Sequence, residues 1–212
     1  MQPGTGRILT THSGSLPRPA RFLSLVLARE AGEPVDEAQF TDEVRAAVRE
    51  TVRLQADAGV DVLNDGEMSK PSYATYVKDR LTGFGGEGAI EQVAASVMAL
   101  EEFPDFAEKM AQTMASAATI RFTSCDGPVA YVGQAAVQSD IDTLKAATEG
   151  VRSAGVFMSA ASPGVISVFS PNRYYASQEE YLGALMNTPA DRTPSVAAFR
   201  VSMSDCTAAC PI

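Results

Sequence analysis

The spacing of apolar positions divides the chain into segments of two different periods. Phe22, Leu25 and Val26 recur at helical spacing, and Gly32 with Pro34 ends the segment, so a first helix is predicted over 20–31. A longer helix is predicted from Asp36 to Ala58. Val44, Ala47, Val48, Val52, Leu54 and Ala58 keep to one side of it, while Arg45, Arg49, Glu50 and Arg53 form its solvated face. Val60, Val62 and Leu63 then make a short apolar run after Ala58-Gly59, the pattern of a strand buried on both faces in a parallel sheet. Three further strands are predicted at Arg7 to Thr11, Ile120 to Phe122 and Val156 to Met158. Further helices are predicted after Pro71-Ser72 with Tyr73, Tyr76 and Val77 inward, at Phe106 to Ser116, at Gln138 to Ser153 and at Gln178 to Leu185.

Strands and helices thus alternate about four times. Consecutive strands joined through helices require crossovers, hence parallel pairs and an α/β fold, and each polar stretch falls at a strand's carboxyl end. The 212 residues, 45% hydrophobic and 20% charged, suffice for a sizeable core in one domain. No apolar run is long enough for a membrane span, and Met1 to Thr11 lacks a signal-peptide core. Three cysteines are too few and too odd in number for a disulfide scaffold, which makes a reducing cytoplasm the expected setting. A formal net charge of −9 without a Lys/Arg cluster argues against nucleic acid and for a small-molecule partner.

Candidate chemistry concentrates where the apolar run at Val60 ends. Asn64, Asp65, Gly66 and Glu67 follow directly, and two carboxylates beside a glycine at that point are how α/β enzymes present polar groups to a ligand crevice. The competing reading is an acidic turn that merely solvates a loop. His12, the single histidine, stands in a loop kept open by Gly14, Pro17 and Pro19, where a structural hydrogen-bonding role competes with ligand binding. Cys125 reads as a small buried hydrophobe rather than a nucleophile. Gly83 to Gly88 reads as a flexible glycine segment, not a phosphate loop, because its strand and helix context is wrong. Cys206 and Cys210 are two thiols where a structural zinc site takes four ligands.

Three ordered segments carry a resemblance. THSGSLPRP at Thr11 to Pro19, GVDVLNDGE with SKPSYATYVKDRLTGFGG across Gly59 to Gly86, and ASPGVISVFSPNRYY at Ala161 to Tyr175 resemble the catalytic domain of the cobalamin-independent methionine synthase family and its MetE-like methyltransferase relatives. The resemblance implies a (β/α)8 barrel of typically ~250 residues, of which about four of the eight units, residues 1–185, are expected here. It implies methyl transfer from a methylated folate to a zinc-activated thiol, homocysteine, in methionine biosynthesis. By resemblance Glu67 grips the homocysteine amino group, with Asp65 a second candidate; the loop at His12 belongs to the thiol-substrate pocket, Ser13, Gly14 and Ser15 hold the amino-acid portion through backbone and hydroxyl groups, and Ser15 with the Ser13 backbone takes its carboxylate end. Asn172, Tyr174 and Tyr175 are expected on the folate side, with core packing the alternative for the tyrosines.

The family's zinc ligands, a His-x-Cys pair, a glutamate and a further cysteine, have no counterparts here, since no histidine follows His12. Zinc is therefore expected to be absent or substoichiometric, and the chain inactive alone. Residues 186–212 depart from the family pattern and are expected to form a divergent tail, from a frameshift, an early end or a genuine alternative terminus. A half barrel exposes strand edges, so association into dimers or larger assemblies is expected. Two other readings stay open: a non-catalytic module that binds a thiol amino acid, and a barrel enzyme using Asp65, Glu67 and His12 as acids and bases.

Overall fold

The computed structural model describes residues 6–72, 76–87, 103–106, 108–109 and 122–187. Helix α1 spans Ala20–Glu30 and α2 spans Glu37–Asp57. Asp36 starts α2 by accepting hydrogen bonds on its carboxylate from the Ala38 and Gln39 amides, which satisfies two donors that the first turn leaves free. The inner face of α2 carries Phe40, Val44, Ala47, Val48 and Val52, as the helical period requires. Two positions correct the predicted stripe. Leu54 is 61% exposed and Ala58 faces solvent, while Thr51 and Gln55 are buried in their place.

The parallel core is smaller than the sequence predicts. Strand β1, Val62–Leu63, pairs in parallel with β4, Gly155–Val156, and on its other side Thr11 bridges Val62 in parallel. Backbone bonds extend the array, from the Asp61 and Val62 amides to the Thr10 carbonyl and from the Phe157 amide to the Leu63 carbonyl. The predicted strands at Val60 and Val156 are present but short, whereas the one predicted at Arg7 to Thr11 is reduced to the single bridge at Thr11. Apart from Phe122, the expected strand at Ile120 to Phe122 lies outside the described residues. Directly after it β3, Thr123–Ser124, pairs antiparallel with β2, Gly86–Glu87. The glycine segment read as flexible thus contributes a strand, because Gly86 lies so close to β3 that a Cβ there would collide with Ser124 Oγ.

Helix α3, Gln134–Thr148, begins and ends about four residues before its predicted bounds, and Gly150, at φ 72°, turns the chain out of it. Of the helix predicted after Pro71-Ser72, the described residues show a 3-10 turn, Tyr76–Asp79, and Tyr73 lies outside the described residues. Helix α4, Pro163–Phe169, was not predicted, although Ser162 and Pro163 give it a capping hydroxyl and a first-turn proline. Helix α5, Gln178–Asn187, agrees with the sequence and includes Met186. Beyond the residues at its start, the helix expected at Phe106 to Ser116 lies outside the described residues, as do Cys206 and Cys210.

Two apolar clusters result. The first joins α1, α2, α3 and β1 through Phe22, Val26, Phe40, Val52, Leu63 and Leu144, with Met68 at its edge. Burying side chains of this size contributes about 1.5–3 kcal/mol each. The second gathers Tyr76, Leu81, Cys125, Ile166, Tyr181 and Leu185. The fold class is α/β, with helices packed on a short parallel array.

Candidate functional site

The chain leaves β1 through Asn64, Asp65, Gly66 and Glu67, and almost every polar group of this turn has a partner. Gln55, buried on α2, donates from Nε2 to the Asn64 carbonyl at 2.9 Å and accepts from the Asn64 amide at 3.2 Å. Asn64 Nδ2 donates to the His12 carbonyl at 2.7 Å, and Asn64 Oδ1 accepts from the Gly66 amide at 2.8 Å. The Gly66 carbonyl in turn accepts from the Leu16 amide at 3.0 Å. The loop after Thr11 is thereby laid against the turn after β1.

Both Gly66 and Glu67 lie in the left-handed region, at φ 58° and 57°. For Gly66 this conformation is inexpensive; for Glu67 it costs about 1–2 kcal/mol, a strain kept only where surrounding bonds fix it. Arg18 supplies those bonds. Its guanidinium donates to the Glu67 carbonyl at 2.7 Å, to Met68 at 3.2 Å and to Lys70 in a shorter contact. Burial lowers the Arg18 pKa, with Glu67 and Asp65 opposing, but a guanidinium stays charged throughout the physiological range.

Turned this way, the Glu67 side chain is buried, at 5% exposure, and both carboxylate oxygens are held by hydroxyls from other segments. Ser15 donates to Oε2 at 2.6 Å and Ser159, in the loop after β4, donates to Oε1 at 2.7 Å. Burial alone raises the carboxyl pKa, but the bonds from Ser15 and Ser159, with the charges of Lys70 and Arg18, outweigh it and hold it below the usual glutamate value. Glu67 is thus a carboxylate at neutral pH. Among the described residues it has no ion-pair partner within 4.0 Å. With about four lone-pair positions and two of them used, it retains acceptor capacity for a cationic donor.

Asp65 is placed differently. It is 3% exposed, takes the Glu67 amide on Oδ1 at 3.1 Å and has Lys70 Nζ at 3.7 Å from Oδ2. Burial pushes its pKa up, against the opposing influence of Lys70 and the Glu67 amide. It faces the back of the turn. His12 turns its ring to the Gly14 carbonyl at 3.0 Å, and Ser13 and Gly14 are exposed on the same loop. The structure therefore brings Ser15 and Glu67 into contact, with His12, Ser13 and Gly14 adjoining them in the chain.

Asn172 and Tyr174 lie in another place. Asn172 Oδ1 accepts from the Tyr174 and Tyr175 amides at 3.1 and 2.9 Å, and its Nδ2 donates to the Tyr175 carbonyl at 2.8 Å, so it braces its own loop. That loop joins the second cluster, where the Tyr175 hydroxyl accepts from the Val129 amide at 2.9 Å and its ring stacks on Tyr181. Tyr174 is 53% exposed. No described contact connects either residue with Glu67.

Arg18, Gln55, Lys70 and Ser159 were missed as members of the site. Arg18 and Lys70 stood in quoted segments without a role, Gln55 sat on the helix delivering the chain to β1, and nothing about Ser159 distinguished it. A cleft of about 540 Å3 lies among α1, α2, α3, Ser69, Pro71 and residues 76–80. It does not include Glu67, and its charges are paired, Lys78 with Glu30 at 2.8 Å, Arg29 with Glu37 at 3.4 Å and Arg80 with Asp140. The Glu67 carboxylate, by contrast, has no ion-pair partner within 4.0 Å among the described residues.

Metal chemistry has a poor donor set here. Among the described residues no three of His, Cys, Asp or Glu converge as metal ligands. His12 is engaged with Gly14, and Cys125, with its thiol pKa raised by burial, directs Sγ at the Gly127 carbonyl in the second cluster. These groups do not fit a zinc centre.

A parallel α/β array that presents a buried, hydroxyl-held carboxylate at the carboxyl end of a strand is the arrangement of a small-molecule site in an α/β enzyme domain. The model of the family described as cobalamin-independent synthase, catalytic domain, matches residues 8–172, and the chain belongs to that family. Over 75 residues it is 35% identical to the 5-methyltetrahydropteroyltriglutamate–homocysteine methyltransferase of Streptomyces avermitilis and 36% identical to that of Rhodococcus jostii. Each match covers 35% of this chain and 10% of the relative. The structure of a B12-independent methionine synthase from Shewanella sp. W3-18-1 in complex with selenomethionine superposes with a TM-score of 0.61 at 17% identity, over 90% of this chain and 48% of that one. The chain thus spans about half the length of that structure.

Proposed function

We propose that this chain is the amino-acid-binding part of a MetE-like methyltransferase, holding the ammonium of a thiol amino acid, homocysteine, on Glu67. The observation that carries the reading is a carboxylate that is buried, charged at neutral pH and held at both oxygens by Ser15 and Ser159, yet lacks an ion-pair partner among the described residues. An ammonium completes it electrostatically. Ser15, Ser13 and the backbone near Gly14 lie on the side where the ligand carboxylate would be received, with His12 shaping the loop. Sealed between Lys70 and the turn, Asp65 supports the site from behind rather than meeting substrate. That placement disfavours the acid/base reading built on Asp65, Glu67 and His12, which needs a proton donor or acceptor within reach of substrate.

The relatives named above are methyltransferases acting on 5-methyltetrahydropteroyltriglutamate and homocysteine. We extend that substrate pair to this chain, with methylated folate as donor and Asn172 and Tyr174 on the folate side. We read residues 1–185 as the amino-terminal half of a (β/α)8 barrel followed by a divergent tail, in the cytoplasm. The described donors do not fit zinc, and the contribution we assign to this chain's described residues is binding. Calorimetric titration tests the reading: Glu67→Gln is expected to weaken homocysteine binding by about 1.5–3 kcal/mol, the scale of a hydrogen bond to a charged group. Equal titrations for both proteins remove Glu67 from the site.

A further inference from the structure

Lys70 is 2% exposed, a rare position for an ammonium, and the loss of hydration there costs several kcal/mol unless strong contacts offset it. Its Nζ donates to the Ser159 carbonyl at 2.8 Å, lies 3.7 Å from Asp65 Oδ2 and sits 5.3 Å from the centre of the Tyr76 ring. The first contact matters most, because Ser159 is the residue whose hydroxyl holds Glu67 Oε1 at 2.7 Å. Lys70 is also three residues from Glu67, with its amide donating to the Glu67 carbonyl at 3.1 Å and its carbonyl held by Arg18.

The bonds therefore form a closed ring. It runs from the Glu67 carboxylate to the Ser159 hydroxyl, through the Ser159 backbone to its carbonyl, across to Lys70 Nζ, and back along residues 70–67. Everything else that holds the Glu67 backbone comes from the loop after Thr11 or from its own turn. The ring is the described connection between the turn after β1 and the loop after β4, and Lys70 is the member that carries it. An apolar side chain of similar length would fill the same space at lower desolvation cost, but would leave the Ser159 carbonyl unheld.

We propose that Lys70, balanced by Asp65, is a positioning residue that holds the loop after β4 so that Ser159 fixes the Glu67 carboxylate for a ligand ammonium. The inference rests on the Glu67 reading above. A carboxylate pinned at both oxygens directs its remaining lone pairs in a fixed direction, whereas one pinned only by Ser15 turns about its terminal torsion and loses directional preference for an amine. The charged groups facing Glu67 are Lys70, Arg18 and Asp65, and of these Lys70 alone reaches the loop after β4.

The test compares homocysteine with 4-sulfanylbutanoate, the same thiol acid without the amine, by calorimetry on the full chain. The native chain is expected to prefer the amine by about tenfold or more, the ratio that a charge-assisted hydrogen bond of 1.4 kcal/mol or above produces. Removing both buried charges in Lys70→Met/Asp65→Asn is expected to reduce that preference to within about threefold while leaving 4-sulfanylbutanoate within about twofold. Ser159→Ala alone is expected to do the same, and adding it to the pair variant to change nothing further, since the residues act in series. No amine preference in the native chain overturns the Glu67 reading itself. A native preference that survives either the charge-pair removal or Ser159→Ala overturns the positioning role. So does an equal loss for both ligands, which is the signature of a general structural defect. If the pair variant does not fold, Lys70→Met alone is read in the same way, and an amine preference that survives in it overturns the positioning role.

Discussion

Gly66→Ala tests the turn on which the whole site depends. A methyl at this position meets Thr51 Cγ2 at 2.7 Å and Leu16 Cβ at 3.2 Å, both inside ordinary contact, and φ at 58° is strained for any residue with a Cβ. The left-handed backbone costs about 1–2 kcal/mol and the overpacking about 1–3 kcal/mol. Alanine's smaller unfolded-state entropy returns about 0.4–1 kcal/mol. The expected net loss is about 2–4 kcal/mol, read as a lowered urea midpoint at unchanged slope. Thr51→Ser removes the colliding methyl and should by itself cost about 0.8 kcal/mol. The two changes together should fall short of their sum by about 1–2 kcal/mol, the share owed to the collision. Gly66→Ala costing under about 1 kcal/mol would refute the left-handed turn. Costs that add within about 0.5 kcal/mol would refute the contact with α2.

Three further outcomes follow from the same structure. Phe22→Ala, at a position with no exposed surface, should lose about 3–5 kcal/mol in urea unfolding, whereas Leu54→Lys on the solvent side of α2 should change stability by no more than about 0.5 kcal/mol. Glu67 has a folded pKa below its unfolded value, so its contribution to stability is full above the ordinary carboxyl range near pH ~4.3 and is lost as pH falls through the lower folded value. Glu67→Gln should therefore flatten the acid side of the stability profile and leave the neutral plateau's slope unchanged, as followed by thermal unfolding between acid and neutral pH. Sedimentation at micromolar concentration should show dimers or larger species, since the bridge residue Thr11 and strand Gly155–Val156 each have one described neighbour, and nearby Ile8 is 91% exposed. A single compact monomer would count against the half-barrel arrangement.

What the sequence revealed and what it concealed divide along physical lines. Local pattern located α1, α2 and β1 because a 3.6-residue period and a glycine or proline stop are properties of adjacent residues. Leu54 misled because a leucine two positions from the true stripe is tolerated on a solvated face, and Thr51 and Gln55 are buried for reasons outside the period: one packs on Gly66 and the other bonds Asn64. Strand β3 escaped because an antiparallel partner chosen from across 36 positions leaves no local period of its own. Within the site, Glu67 and Ser15 were legible from motif and resemblance. Ser159 and Lys70 were not, since their importance lies in a contact between segments 89 positions apart.

The site's dependence on distant segments also decides how it should behave. Glu67 is held by Ser15 from 52 positions before it and Ser159 from 92 after it, while its strained backbone is held by Arg18. None of these bonds forms until the loop after Thr11, β1 and β4 lie side by side, so the added stabilisation of the charged form of Glu67, beyond that of an unfolded glutamate, exists only in the assembled array. Each hydroxyl bond to the carboxylate is of the charge-assisted kind, about 1.5–3 kcal/mol, comparable to the left-handed strain and desolvation it opposes. The turn is therefore poised: loss of one support leaves the strain and burial uncompensated, whereas a bound ammonium adds a support of the same size. Ligand binding and local stability are in this way one equilibrium, and an amine-bearing ligand should protect the amides of residues 64–70 from hydrogen exchange where its deaminated analogue does not.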